Sequence, residues 1–210
     1  MFSNNLINHN SLMSVINISA KEMLENKIVQ SMTIIDWGKA MARCNEIIQT
    51  DLLRYCGIDA YDPELDDKCP YIDTTNNSPG FDIVVRNPND GKLLRIQSKL
   101  RQVQGMTDYS RQVHFETTRR HSQKNQGASS HTGHVAYSTD EFDYVMVSLI
   151  NVKLDTSKRN NIDEWSFSII PIHELINQER GCCVTTISSE LLYKYKYVID
   201  PNNPPQIGAL

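Results

Sequence analysis

Two apolar runs on either side of a short turn constrain this chain more than any other segment. Phe81-Asp82-Ile83-Val84-Val85 and Leu93-Leu94-Arg95-Ile96-Gln97-Ser98-Lys99-Leu100 are separated by Asn87-Pro88-Asn89-Asp90-Gly91, which ends in Asp-Gly. Runs of this length, rich in branched residues and bounded by turn formers, read as two strands of a hairpin. Side chains two apart on a strand leave the same face. Gln97 and Lys99 therefore share a face, Ile96, Ser98 and Leu100 take the other, and Asp82 lies near the start of the partner strand. A carboxylate, an amide and an ammonium group can converge at one edge of the hairpin.

Upstream the period is helical. From Asp36 to Cys56, Trp37, Ala40, Met41, Cys44, Ile47, Ile48 and Leu52 recur at i, i+3, i+4, i+7 spacing and form one apolar stripe. Asp36 suits an N-cap and Gly57 a C′ position. Ala20–Ser31 reads as a shorter helix, and the acidic stretch Asp59–Pro79, with three prolines, as an irregular connection. Downstream, Gln112–Thr118 alternates as a third strand, and Ser122–Thr132 is a polar loop. Phe142–Val152 is the most hydrophobic run and predicts a central strand. Trp165–Ile172 predicts another, leading into a short helix at His173–Gln178. Tyr193, Tyr195 and Tyr197 alternate with Lys194 and Lys196, as in a half-buried strand with one wet face. The expected architecture is α+β (mixed α/β), a central mixed β-sheet flanked by helices. It divides into an N-terminal helical segment (1–35), a core domain (36–200) and an extended, proline-containing C-terminal tail (201–210).

Composition excludes more than it suggests. No run of 18 apolar residues is present, which argues against a membrane-spanning helix, and the Asn-rich start lacks the pattern of a secretory signal. Five cysteines without a Cys-x-x-Cys pair fit neither a disulfide framework nor a zinc site, so reduced thiols in a cytoplasmic protein are expected. The six histidines show no metal-ligand spacing. The net charge of −4 gives no support to nucleic-acid binding, but the charge is polarised. Arg111, His114, Arg119, Arg120, His121 and Lys124 gather in one block with Glu116 as its single acid.

The Asp82, Gln97 and Lys99 trio suits phosphodiester hydrolysis. Magnesium takes hard oxygen ligands, often one or two from protein, with water and phosphate completing its shell. Asp82 offers a charged oxygen, Gln97 a neutral one, and Lys99 a group to position water or offset phosphate charge. Pro79-Gly80-Phe81-Asp82, a gap of fourteen residues, and then Gln97-Ser98-Lys99 resembles the PD-(D/E)XK nuclease superfamily, in its variant with Gln at the middle acidic position. The resemblance extends to Tyr137–Tyr144 before a Val-rich strand and to Ile169-Ile170-Pro171-Ile172, and so covers roughly residues 36–176.

That resemblance implies a restriction-endonuclease-like core that uses Mg²⁺, with Asp82, Gln97 and the Ser98 carbonyl as metal ligands and Lys99 assisting the attacking water. It also implies a helix glutamate facing the site. Glu46 matches by spacing, whereas the helical wheel sets it opposite the apolar stripe and puts Asp51 inside, so both stay candidates. The expected activity is site-specific type II restriction of double-stranded DNA by a homodimer. Loops within 101–134 would read the DNA, through Arg101, Arg111, His114, Arg119, Arg120, His121 and Lys124. The alternatives are a homing, repair or junction nuclease with the same site, and a non-catalytic DNA-binding module on a degenerate nuclease fold.

Overall fold

The structure, a computed structural model, describes residues 34–71, 80–103, 113–115, 136–151, 165–197 and 199–208. Helix α1 (Ile34–Tyr55) begins two residues before the expected cap, so Asp36 lies inside its first turn. Its other end is as the glycine predicts. Gly57 takes φ +80°, its N–H donates to the Arg54 carbonyl (2.9 Å), and Ile58 N–H reaches back to Leu53 (2.9 Å). That paired closure is a Schellman cap, with Leu53 and Ile58 packed in the same core.

The main sheet has six strands in the order β1-β2-β3-β5-β6-β10. They are β1 (Asp59–Tyr61), β2 (Ile83–Arg86), β3 (Leu93–Val103), β5 (Tyr144–Asn151), β6 (Ser166–Pro171) and β10 (Lys196–Tyr197). All neighbours are antiparallel except β3 and β5, which run parallel from Ile96↔Tyr144 to Val103↔Asn151. The sheet is therefore mixed, and the molecule is α+β. A parallel pair requires the chain to cross over between its strands, and residues 104–143 make that crossing.

Alternation along the strands divides the core in two. Ile83, Val85, Ile96, Tyr144, Met146, Phe167 and Ile169 face α1, where Ile48, Leu52 and Leu53 meet them. Val84, Val145, Val147 and Ile170 point to the opposite face, against Phe115, Tyr137, Phe142 and Leu192. From Tyr144 to Leu149, β5 is buried on both faces, as expected of a strand that is apolar on both sides apart from Ser148. Each such aliphatic side chain contributes about 1.5–3 kcal/mol by leaving water.

Several local expectations are corrected. Asp59–Tyr61 is not irregular but the edge strand β1; three residues are too few to show a period. Of 112–118 the described residues are 113–115, where Val113–His114 (β4) form a strand that pairs with β9 (Thr186–Ile187) outside the main sheet. The helix expected at His173–Gln178 is a single 3₁₀ turn, Ile172–Leu175, followed by β7 (Ile176–Asn177), which pairs with β8 (Cys182–Cys183). The tyrosines at 193–197 do not alternate along a strand, because Ser188 caps helix α2 (Ser189–Lys194) through its bond to Leu191 N–H and only β10 is extended. Among the described residues α1 lies on one face, while short ladders, aromatic rings and the six-residue α2 cover the other.

The tail is not free. Pro205 and Ile207 are buried, Ile207 among the residues under α1, and Gly208 N–H donates to the Tyr144 hydroxyl (2.8 Å). Gly208 sits at φ +85° against Asn87, where a Cβ would come within 2.5 Å of the amide. The segments 20–31 and 122–132 lie outside the described residues. Among the described residues, no helix is long and apolar enough to cross a membrane.

Candidate functional site

The hairpin register brings the expected trio together. Ile83 pairs with Ile96, and Asp82 N–H donates to the Ile96 carbonyl (2.9 Å), which sets Asp82 beside Gln97. By alternation Asp82 lies on the same side as Val84, and Gln97 and Lys99 are on that side too, away from Ser98 and α1. The β1 ladder stops at Tyr61↔Val84, so among the described residues no strand pairs with the edge of β2 beyond it, at Asp82. Asp82 Oδ2 accepts from Ser98 N–H (2.7 Å) and from the Gln97 amide nitrogen. Burial pushes the Asp82 carboxyl above its ordinary range, against the Ser98 hydrogen bond and the pull of Lys99 and Arg43.

Lys99 is the other half of the site. Its Nζ donates to the Tyr137 hydroxyl at 2.7 Å and stands 4.9 Å from the centre of that ring and 5.9 Å from that of Phe115. It forms no ion pair with a described carboxylate. Burial lowers its pKa, although Asp82 and Glu46 both attract the charged form.

The helix acid beside this site is Glu46, not Asp51. Burial and then the charge of Asp82 raise the Glu46 pKa to about 7, with Arg43 pulling it down. Arg43 clamps Glu46 (2.6 Å) and, through both oxygens, Asp62 (2.9 and 2.8 Å) just past the end of β1. Asp51 turns instead to Arg54 (3.3 Å), a guanidinium that also binds Asp66 (2.5 Å). The wheel placed Glu46 on a wet face because it registers only the apolar stripe. The open sheet edge beyond Tyr61 is what exposes that face to Asp82.

Two further side chains, Asn45 and Gln49, carry no motif and yet steady the site. Both are fully buried one turn apart on α1. Asn45 Nδ2 donates to Ser98 Oγ (2.8 Å) and the Lys99 carbonyl (3.3 Å); Gln49 Nε2 donates to Ser148 Oγ (2.8 Å) and the Met146 carbonyl (3.1 Å). They tie the helix to β3 and β5 where Ser98 and Lys99 are carried. Their signal in the sequence is two amides flanking an apolar stripe, which burial permits only when they are hydrogen-bonded.

Of the expected DNA contacts, Arg101 follows Lys99 by two on the same strand, half-buried, with its Nε lacking a hydrogen-bond partner. His114 is placed by its backbone in β4. Arg111, Arg119, Arg120, His121 and Lys124 lie outside the described residues, as does most of 101–134.

The oxygens at this edge are the kind that a hard cation takes. The Gln97 amide nitrogen donates both to Asp82 Oδ2 and to the Ser98 carbonyl (3.3 Å), the two oxygens that would hold a metal. A neutral hydrogen-bond donor thus bridges the expected ligands, and turning the amide over offers its own oxygen instead. Carboxylate, carbonyl and amide oxygens fit Mg²⁺. Among the described residues no three His, Cys, Asp or Glu side chains cluster as metal ligands, so binding here would rest on neutral oxygens beside Asp82. No protein-family description, curated protein or solved structure matches the chain, and function is read from the site alone.

Proposed function

We propose that the chain is a Mg²⁺-dependent endonuclease that hydrolyses phosphodiester bonds of double-stranded DNA, of the site-specific restriction type and acting as a homodimer. The observation that carries this reading is the shared face of Asp82, Gln97 and Lys99, where a buried ammonium stands beside a carboxylate and, among the described residues, has no ion-pair partner. Asp82, the Ser98 carbonyl and the Gln97 amide oxygen would hold Mg²⁺, which supplies polarisation of the phosphate and acidification of water when bound. Lys99 orients the attacking water and offsets charge growing on the phosphate. The water oxygen bonds to phosphorus as the P–O ester bond breaks; the water's proton passes to solvent, and the leaving oxygen is protonated from solvent. Glu46 supplies a second carboxylate beside Asp82 that exchanges its proton near neutral pH. Arg101, two residues along on the same strand, would offer its guanidinium to the DNA backbone.

A second reading is a DNA-binding module without catalysis, favoured by the way the Gln97 amide already satisfies Asp82. One experiment separates the two. Mixed plasmid and phage DNA is incubated with the protein and Mg²⁺, and with EDTA as control. Discrete bands that vanish in EDTA are expected; no cutting with any divalent metal, alongside intact DNA binding, overturns the enzyme in favour of the module.

A further inference from the structure

Lys99 is gripped from one side by residues distant in sequence. Tyr137 is buried, its carbonyl accepts from Cys183 N–H (2.9 Å), and its ring is wedged between Phe115 (4.8 Å, tilted) and Phe142 (5.2 Å, edge-on). Phe115 and Phe142 also touch each other, with centroids 5.7 Å apart. Three rings locked in this way leave the phenol oxygen little freedom, and it lies 2.7 Å from Lys99 Nζ. Packing alone needs only the ring. The hydroxyl adds a polar atom to an otherwise apolar cluster, and it meets the ammonium there.

We propose that Tyr137 is a positioning residue: its hydroxyl, with the ring faces of Tyr137 and Phe115, holds the Lys99 ammonium away from Asp82 and aims its remaining protons at the reacting phosphate and water. This rests on the nuclease reading for its consequence in turnover, but the grip itself does not. Without the hydroxyl, Lys99 has a long flexible stem and a carboxylate within electrostatic reach, and collapse into an ion pair with Asp82 removes both groups from service. Cation–π attraction to the rings persists but fixes no donor direction.

The test uses Tyr137→Phe, which keeps the packing. The kcat for Mg²⁺-dependent DNA cleavage should fall about tenfold or more, with KM for DNA and the melting temperature unchanged. An unchanged kcat, or a loss that tracks a lower melting temperature, overturns the proposal. A second readout is independent of activity. In protein labelled with ¹³C-lysine, the Lys99 signal is identified by its loss in Lys99→Arg. Its two ε-methylene protons should be ring-shifted and inequivalent in the wild type, and should average together in Tyr137→Phe. Equivalent, unshifted protons in the wild type overturn the grip. If the wild type cuts no DNA, the nuclease reading falls and takes the role in turnover with it; the lysine signal then decides the grip alone.

Discussion

Strand β3 carries two basic side chains four residues apart on one face, and the fold treats them oppositely. Arg95 is met on every side. Its Nε and Nη2 bind Asp143 (3.1 and 3.2 Å), its Nη1 the Asp140 carbonyl (2.6 Å), and the backbones exchange a further bond, Asp143 N–H to the Arg95 carbonyl (2.8 Å). Lys99 is deeper, and among the described residues it has no ionic partner and meets the Tyr137 hydroxyl and two ring faces. Arg95 closes the start of β3 onto the start of β5, which is a structural task. Lys99 is desolvated with no ion pair among the described residues, which weakens folding and suits a group that meets a ligand. Charges that hold a fold together are paired; charges kept unpaired at a cost mark a site.

The largest effect that would break this contrast is catalytic. Asp82→Asn and Lys99→Ala should each reduce Mg²⁺-dependent cleavage by about a hundred- to a thousandfold while leaving DNA binding intact. Cleavage within about threefold of wild type by either variant places the chemistry elsewhere.

Glu46 extends the contrast to stability. Its folded pKa of about 7 lies above its ordinary 4.5, so the folded protein holds this proton more tightly than the unfolded chain. The favourable contribution is complete below pH 4.5 and is lost as pH rises through about 7. The full difference is on the order of 3 kcal/mol, an upper figure. Glu46→Gln keeps an acceptor for Arg43 and removes the titration. The variant should exceed wild type at pH 8 by about 1–3 kcal/mol in urea unfolding, and match it more closely at pH 5. A variant that is no more stable than wild type at pH 8 would show that Arg43 fully compensates the buried carboxylate.

Asp143→Ala attacks the paired member instead. Removing the carboxylate strands a partly buried guanidinium and a backbone N–H, at about 1–3 kcal/mol. The melting temperature should fall by about 2–4 °C per kcal/mol, with kcat nearly unchanged. A loss of activity larger than the loss of stability would erase the distinction between the two ends of β3.

What the sequence shows and what it hides follow from range. The hairpin, its parity and the helix end at Gly57 are local, so Asp82, Gln97 and Lys99 are legible from alternation and one turn. The α1 stripe identifies the buried face, but not that Glu46 sits over an open sheet edge, since that depends on where β1 ends. Tyr137 and Phe115 reach Lys99 only because β5 returns parallel to β3, a pairing no local pattern encodes. Short elements escape local patterns for the same reason. Asp59–Tyr61 is a strand because β2 is beside it, and residues 189–194 are helical because Ser188 caps them, despite alternating tyrosines downstream.

The smallest effect bears on the middle member of the trio. Gln97 lets one amide satisfy Asp82 Oδ2 and the Ser98 carbonyl together, so the site without metal is held by hydrogen bonds rather than strained by repulsion. Gln97→Glu removes that donor and sets a third carboxylate beside Asp82 and Glu46. In EDTA at pH 8 the variant should melt lower by about 2–4 °C, corresponding to about 1 kcal/mol. Added Mg²⁺ should raise its melting temperature by more than it raises that of wild type, because a cation binding the folded state alone stabilises it in proportion to affinity. Equal melting in EDTA would mean that the amide bridge contributes nothing. A variant that melts low but is not rescued by Mg²⁺ would mean that these oxygens do not converge on a cation, and the resemblance between Lys99 and a catalytic lysine would lose its support.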